Sequence, residues 1–215
     1  MYDTTRLAIA LRMSRAVTRM TQQELAKELA VSKTVIARNE KPDMAMRADT
    51  LMRLVYVMNA NGIQVDVFST LDQVELYVWG EDLSSISMRV ARAALNLNQQ
   101  EFADLIGVPK VRVTRGERPG SSVRADVHGL LREKMRQEGV TIEWSPTTQE
   151  LAVTVHPQAL QRQEALRKGE SLPGEPDEDL VPTPLHEKLS NDALPRYRTE
   201  KRNTGLKPPS SPDKT

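Results

Sequence analysis

Apolar residues in the first eighty positions recur at a helical spacing and then change to strict alternation. Leucines and other apolar residues repeat every three or four positions as far as Met58, which predicts a series of amphipathic helices. After Gly62, which suits a helix end, two short alternating runs flank a polar turn at 69–72. This alternation predicts two strands joined as a β-hairpin. The apolar positions of these strands are Ile63, Val65, Val67, Val74, Leu76 and Val78.

The same pattern occurs a second time, 77 residues further along the chain. The six residues from Thr21 read TQQELA and those from Asn98 read NQQEFA, and the offset continues without a gap in both directions. So many matches at one offset are not expected by chance, and we interpret 1–80 and 81–157 as two copies of one unit. Matched residues include Arg12 with Arg89, Arg15 with Arg92, Lys33 with Lys110, Arg38 with Arg115, Glu40 with Glu117, and Gly62 with Gly139.

Each predicted hairpin needs a partner, because an isolated two-stranded hairpin is only marginally stable in water. We therefore expect the two hairpins to pair with each other within the chain, or with the hairpins of another chain in a homodimer. We also expect Trp79 and Trp144 to cover the hairpins. The alternating apolar residues of the second hairpin are Val140, Ile142, Trp144, Leu151, Val153 and Val155.

Residues 158–215 differ in composition from both units. Prolines are frequent, apolar residues are sparse, and an acidic stretch at 175–179 precedes a basic one at 196–202. Such a composition predicts a largely disordered tail that starts with a short helix over 158–168. The tail is either a solvated extension or a partner-binding segment. The candidates for the second role are residues 185–197, from Leu185 to Tyr197.

The composition narrows the classes of function. The chain has 39% hydrophobic and 4% aromatic residues and no cysteine, which favours helices with an aliphatic core and excludes disulfides and thiolate chemistry. Three scattered histidines, no serine–histidine–carboxylate arrangement and no phosphate-binding glycine loop argue against a metal, a cofactor and an enzyme. Without a long apolar run or a signal-peptide pattern, we expect a cytoplasmic protein with no membrane attachment. The net charge is only +1, so a nucleic-acid surface must be basic locally.

Residues 22–40 and 99–117 meet the requirements of two short helices that cross closely. A capping residue precedes each first helix, and a glutamate follows it three positions later, which is a capping-box pattern. The crossing point needs a small side chain, and the turn between the helices favours glycine or alanine. The cap, crossing, turn and second-helix start positions are Thr21, Ala26, Ala30 and Ser32 in the first unit, and Asn98, Ala103, Gly107 and Pro109 in the second.

These residues resemble the helix-turn-helix of the XRE, or Cro/CI, family of bacterial and phage regulators. The resemblance implies a mainly α fold of two tandem lambda-repressor-like helical bundles, each followed by a β-hairpin, ahead of the disordered C-terminal tail. It also implies that the second helix of each motif enters the major groove of double-stranded DNA. The residues implied in DNA contacts are Gln22, Gln23, Lys33, Thr34, Arg38, Lys41 and Arg47 in the first unit, and Gln99, Gln100, Lys110, Arg112, Thr114, Arg115, Arg118 and Arg124 in the second.

Members of this family often join an arginine of the first helix to the glutamate that ends the recognition helix. We interpret the matching residues as structural ion pairs. The residue before the glutamate is usually large and apolar in the family, whereas this chain has Asn39 and Gly116. We therefore expect the recognition helices to fray early or to tilt differently. The matching pairs are Arg15 with Glu40 and Arg92 with Glu117.

The helix and strand over 51–67 also resemble those of HipB-like antitoxins, in which such strands join two subunits. On this resemblance the chain is similar to a dimer fused into one polypeptide. The leading hypothesis is a bacterial or phage-encoded, nucleoid-associated repressor of the kind found on mobile elements, which reads two unequal half-sites roughly 34 Å apart. Two alternatives are left open: a DNA-binding antitoxin whose tail or outer helix face neutralises a toxin, and a protein-only adaptor derived from a helix-turn-helix regulator.

Overall fold

The computed structural model describes residues 3–42, 45–68, 72–145 and 147–169. These residues confirm a mainly helical fold with one small antiparallel sheet. None of the helices in these ranges is long and apolar enough to cross a membrane. The helices are α1 (Asp3–Thr18), α2 (Gln22–Glu28), α3 (Lys33–Glu40), α4 (Ala48–Ala60), α5 (Leu83–Ala94), α6 (Gln99–Ile106), α7 (Lys110–Gly116), α8 (Ala125–Gln137) and α9 (Pro157–Lys168). The strands are β1 (Ile63–Asp66), β2 (Val74–Trp79), β3 (Val140–Ser145) and β4 (Glu150–Val155).

Both predicted capping boxes are present. Thr21 Oγ1 accepts the backbone N–H of Glu24 at 3.2 Å, and the Glu24 carboxylate accepts the N–H of Thr21 at 2.7 Å. Asn98 and Glu101 make the same exchange at 3.0 and 2.7 Å. Because these side chains satisfy N–H groups that have no partner within the helix, α2 and α6 begin where the sequence predicts.

The four strands form one sheet in the order β1-β2-β4-β3. β2 and β4 pair in antiparallel fashion, so the two hairpins pair with each other within the chain, which is the first of the two expected arrangements. Leu76 faces Val153 within this pairing, and these two residues lie 77 positions apart, so the register is symmetric about them. The flanking pairs are Val74 with Val155 and Val78 with Leu151.

α1 and α5 pack against each other over the inner face of the sheet, which carries the buried strand residues. Two buried arginines link the helices in a reciprocal way. Arg12 Nε donates to the carbonyl of Ala93 at 3.2 Å, and Arg89 Nε donates to the carbonyl of Ala16 at 2.9 Å. The two donors lie 77 positions apart, and so do the two acceptors, so each helix gives the other the same contact. Burial lowers the pKa of both guanidinium groups to about 10, so both are charged at neutral pH.

α9 confirms the predicted short helix after β4, but this helix packs on α1 and α5. Gln163 Oε1 accepts from Arg12 Nη2 at 2.8 Å, and Gln163 Nε2 donates to the carbonyl of Ala94 at 2.7 Å. Glu164 accepts from Thr5 Oγ1 at 2.6 Å. The compact unit therefore includes α9, beyond the boundary that the composition predicts at residue 157. The predictions for 170–215 lie outside the described residues.

The two tryptophans do not cover the hairpins as expected. Trp79 is 44% exposed and Trp144 is 47% exposed. Trp79 stacks on Tyr77 with the ring centroids 6.3 Å apart, and Trp144 meets His128 of α8 edge-on at 6.1 Å. Both tryptophans stand near strand ends, where fewer neighbours are available to bury a large ring.

Candidate nucleic-acid interface

Two pairs of short helices, α2 with α3 and α6 with α7, pack together at the predicted motif positions. Ala26 and Ala103 are fully buried in these pairs. Their carbonyls accept backbone N–H groups from beyond the turn, at 2.9 and 3.0 Å. The turn residue has a positive φ in both pairs, +53° at Ala30 and +70° at Gly107. Glycine adopts this conformation without a steric penalty, whereas alanine does not.

A hydrogen-bonded ion pair holds the end of α3 against α1. Arg15 Nε lies 2.5 Å from Glu40 Oε1, and Arg15 Nη2 donates to Glu40 Oε2 at 3.2 Å. The side-chain amide of Gln22 donates to the same carboxylate at 2.7 Å, and Arg15 Nη1 donates to the carbonyl of Met20 at 3.2 Å. The glutamate therefore ties together the first helix, the start of α2 and the end of α3.

The second half contains the same cluster with nearly the same distances. Arg92 Nε lies 2.6 Å from Glu117 Oε1, and Gln99 Nε2 donates to Glu117 Oε2 at 2.7 Å. One contact is added here, because Thr114 Oγ1 donates to Gln99 Oε1 at 3.1 Å. The first half has Ala37 at the position of Thr114 and lacks this hydroxyl. Gln99 therefore supports a candidate base-reading residue directly.

Arg12 and Arg89 extend these clusters into the contact between α1 and α5. Arg12 Nη1 donates to the carbonyl of Glu40 at 2.8 Å, and Arg89 Nη1 donates to the carbonyl of Glu117 at 3.1 Å. Each buried arginine thus connects the end of one motif helix to the opposite half. Sequence reasoning matched these two arginines at the common offset but gave them no role. The signal was the apolar residue on either side of each arginine, because a charged side chain buried among apolar neighbours requires hydrogen bonds.

Seven basic side chains are exposed on α3 and α7 or directly after them. Within the described ranges they have no hydrogen-bond or ion-pair partner, so their charge is available to a ligand. Thr34 and Gln23 are exposed as well, and the exposed Gln100 donates to Asp104 at 2.8 Å. The seven basic residues are Lys33, Arg38 and Lys41 in the first half, and Lys110, Arg112, Arg115 and Arg118 in the second.

Arg47 and Arg124 are placed differently, at the starts of α4 and α8. Arg47 Nε lies 3.3 Å from Asp49 Oδ1, and Arg124 Nε lies 3.0 Å from Asp126 Oδ1. The hydrogen bond from Arg124 lowers the pKa of Asp126 below its usual value. Since an aspartate neutralises each of these arginines, we regard them as weaker candidates for phosphate contacts than the seven unpaired residues.

Asn39 and Gly116 do not make α3 and α7 fray early, so this part of our expectation was wrong, and the alternative of a different tilt stays a prediction. α3 continues to Glu40, and α7 ends at Gly116 with Glu117 as its C-cap. A β-carbon on the buried Gly116 would lie only 2.5 Å from Sδ of Met88, which is itself fully buried in α5. Met88 thus fills the space beside α7, and the helix needs no large side chain at this position.

No group of three or more histidine, aspartate or glutamate side chains in the described part of the chain is placed to hold a metal ion. Comparisons with protein-family models, with curated proteins and with solved structures gave no match. The resemblance to XRE regulators therefore depends on the motif residues themselves, and the function is inferred from their arrangement.

Proposed function

We propose that this chain is a sequence-specific double-stranded DNA-binding regulator, acting as a repressor, in which each half presents one recognition helix. The observation that carries the proposal is the matching arginine–glutamine–glutamate cluster behind α3 and behind α7. A satisfied, partly buried cluster of this kind fixes the position of a helix. Unpaired basic side chains on the opposite side of the same helices are then available to phosphates and guanine edges.

We infer further that the halves are copies of one unit related by a pseudo-two-fold axis, as in a dimer fused into one chain. The symmetric register of β2 with β4 and the reciprocal contacts of Arg12 and Arg89 support this inference. Isologous interfaces place the same contact on both sides of a two-fold axis. Recognition helices related in this way fit a pseudo-palindrome whose half-sites lie about one helical turn, roughly 34 Å, apart.

The two half-sites should differ, with the second contributing more affinity. Four of the seven unpaired basic residues belong to α7 and its C-terminal flank, and three belong to α3 and its flank. Arg112 stands 77 positions after Val35, and Thr114 stands 77 positions after Ala37. An arginine at a groove-facing position can bind guanine O6 and N7 together, whereas a valine offers only apolar contact.

Selection of bound sequences from a random pool of double-stranded DNA tests the proposal. We expect enrichment of two unequal half-sites centred about 10 base pairs apart. Arg115→Ala and Arg38→Ala should each relax one half-site, by about 1–3 kcal/mol if the arginine contacts a base. Arg136→Ala, which removes an exposed arginine of α8 outside the motifs, is the matched control and should leave affinity unchanged. Failure to enrich any site, with no effect of Arg115→Ala or Arg38→Ala on gel shifts, would favour the protein-only adaptor.

A reporter gene under a promoter that contains the selected site tests the mode of regulation. Occupation of the promoter should lower expression, and Arg115→Ala should restore it. An increase in expression on adding the chain would contradict repression while leaving DNA binding in place.

A further inference from the structure

The outer face of the sheet, opposite α1 and α5, is open to solvent. The alternate strand residues that point to the inner face are buried, apart from the exposed Trp144 near the end of β3. Those on the outer face are exposed or only partly buried. The pairing register places them in three rows across the sheet. These rows are Asp66, Glu75, Thr154 and Thr141; Gln64, Tyr77, Ala152 and Glu143; and Trp79, Glu150 and Ser145.

This outer face is acidic and partly aromatic. The four described strands contain four carboxylates and neither lysine nor arginine. Glu143 and Glu150 have no hydrogen-bond or ion-pair partner among the described residues. Tyr77 Oη donates to Glu75 at 2.8 Å. This hydrogen bond, together with burial and the nearby carboxylates, raises the pKa of Tyr77.

The geometry of the central residues suits a cation with a flat shape. Ala152 lies between Tyr77 on one neighbouring strand and Glu143 on the other, so only a small side chain separates the ring from the carboxylate. Trp79 stacks on Tyr77 and lies directly across from Glu150. An arginine side chain over Ala152 can lie on an aromatic ring and pair with a carboxylate at once, which lysine achieves less well.

The outer face also lies away from the proposed DNA side. In an antiparallel pair with a symmetric register, the two-fold axis passes through the sheet at the central pair, here Leu76 and Val153. α3 and α7 pack on α1 and α5, which cover the inner face, so the recognition helices lie on the inner side of the sheet. The placement of DNA on the inner side of the sheet rests on the proposed function. DNA would be repelled by the carboxylates of the outer face, which leaves that face to a different partner.

We propose that the outer face of the sheet binds a basic, arginine-containing segment of a partner protein, with arginine side chains lying on the Tyr77–Trp79 stack and pairing with Glu143 and Glu150. Charge complementarity selects this partner, since a face with these carboxylates and no basic strand residue attracts cations and discriminates against acidic chains. The aromatic stack selects arginine among cations. A partner bound here would leave the recognition helices accessible, so one chain could hold DNA and protein together.

A fluorescence titration with a synthetic peptide tests the proposal without DNA. The probe is a ten-residue peptide of alternating arginine and threonine, and the matched probes replace arginine with lysine or with glutamate. Trp144→Phe in the full-length chain leaves Trp79 as the reporter on the face. We expect the arginine peptide to change Trp79 emission with a dissociation constant below about 100 μM, several-fold tighter than the lysine peptide, and the glutamate peptide to have no effect.

Variants of the face locate the binding site. Glu143→Gln with Glu150→Gln should weaken the arginine peptide about tenfold, since exposed charge pairs contribute modestly and roughly additively. Glu28→Gln, an exposed carboxylate on α2, is the matched control and should change nothing. Equal peptide affinity in the double variant, or binding weaker than about 1 mM, would overturn the proposal. A concentration-dependent dimer in sedimentation that the double variant abolishes would also overturn it, in favour of a second copy of this chain. Gel shifts of the same variants with the selected DNA separate a failure here from a failure of DNA binding.

Discussion

Ala30 and Gly107 occupy equivalent turns, but only one of them is glycine. Both have a positive φ, +53° and +70°, between the two helices of their motifs. We predict that Ala30→Gly stabilises the protein and that Gly107→Ala destabilises it. The two substitutions exchange the same pair of residues in opposite directions, so the first half and the second half serve as controls for each other.

The size of each effect follows from backbone conformation alone. A residue with a β-carbon is about 1–2 kcal/mol less stable in the left-handed region than glycine. Glycine loses more conformational entropy on folding, which offsets about 0.5–1 kcal/mol of this difference. A β-carbon at Gly107 would meet nothing within 4 Å, so no clash adds to the backbone penalty. We therefore expect about 0.5–1 kcal/mol of stabilisation from Ala30→Gly and a similar loss from Gly107→Ala.

Urea and thermal unfolding followed by circular dichroism measure both changes. For a protein of this size, 1 kcal/mol shifts the melting temperature by about 2–4 °C. Gly129→Ala provides a control with the opposite sign, because Gly129 lies within α8 without a positive φ and with open space around it. A destabilising Ala30→Gly, together with a stabilising Gly129→Ala, would refute the argument from φ. A double variant with both turn substitutions should show nearly additive effects.

Three further predictions concern the supporting contacts. Glu117→Gln should destabilise the protein by about 2–4 kcal/mol in urea unfolding, because it leaves a partly buried arginine without its counter-charge. Gly116→Ala should destabilise by about 1–3 kcal/mol through overpacking against Met88, and in a Met88→Ala background the same substitution should have a smaller effect. Lowering the pH should remove a contribution from Glu164 between 4.5, its usual pKa, and about 2, the value to which a hydrogen bond from Arg167 lowers it. The contribution is present above that range because the folded-state pKa is depressed, and Glu164→Gln should flatten the pH dependence of unfolding there.

Local features of the fold could be predicted from the sequence, because each depends on neighbouring residues. The capping residues Thr21 and Asn98 fix the starts of α2 and α6 through bonds to N–H groups three positions away. Alternation of apolar residues identified which strand positions face the core, except at Trp144, which is exposed near the end of β3. The marginal stability of a lone hairpin predicted that each hairpin has a partner. The ion pairs of Arg15 and Arg92 were placed through resemblance, since residues 25 positions apart carry no local signal.

Contacts between distant segments could not be predicted from the sequence, because neighbouring residues carry no signal for them. Met88 of α5 lies against Gly116 of α7, and neither residue indicates the other in the sequence. The expectation that α7 frays early was wrong because it did not include this contact. The composition of 158–168 indicates a polar helix, but the contacts of Gln163 with Arg12 and Ala94 need the three-dimensional arrangement of α1 and α5. The acidic outer face is also hidden in the sequence, because its carboxylates come from four separate strands.

The matching contacts between the halves, and the different residues on their exposed helices, point to an arrangement that one chain can have and two identical subunits cannot. Two identical subunits would have to carry the same residue at both reading positions, whereas this chain places Arg112 where the other half has Val35. The buried reciprocal arginines are the same on both sides, since a symmetric interface requires both copies of the contact. If the halves are related by the proposed pseudo-two-fold axis, the symmetry is kept where the halves touch and lost where each would touch a ligand. Under the proposed function, covalent linkage also holds the recognition helices at a fixed spacing at any protein concentration, so asymmetric half-sites need no second chain to be read.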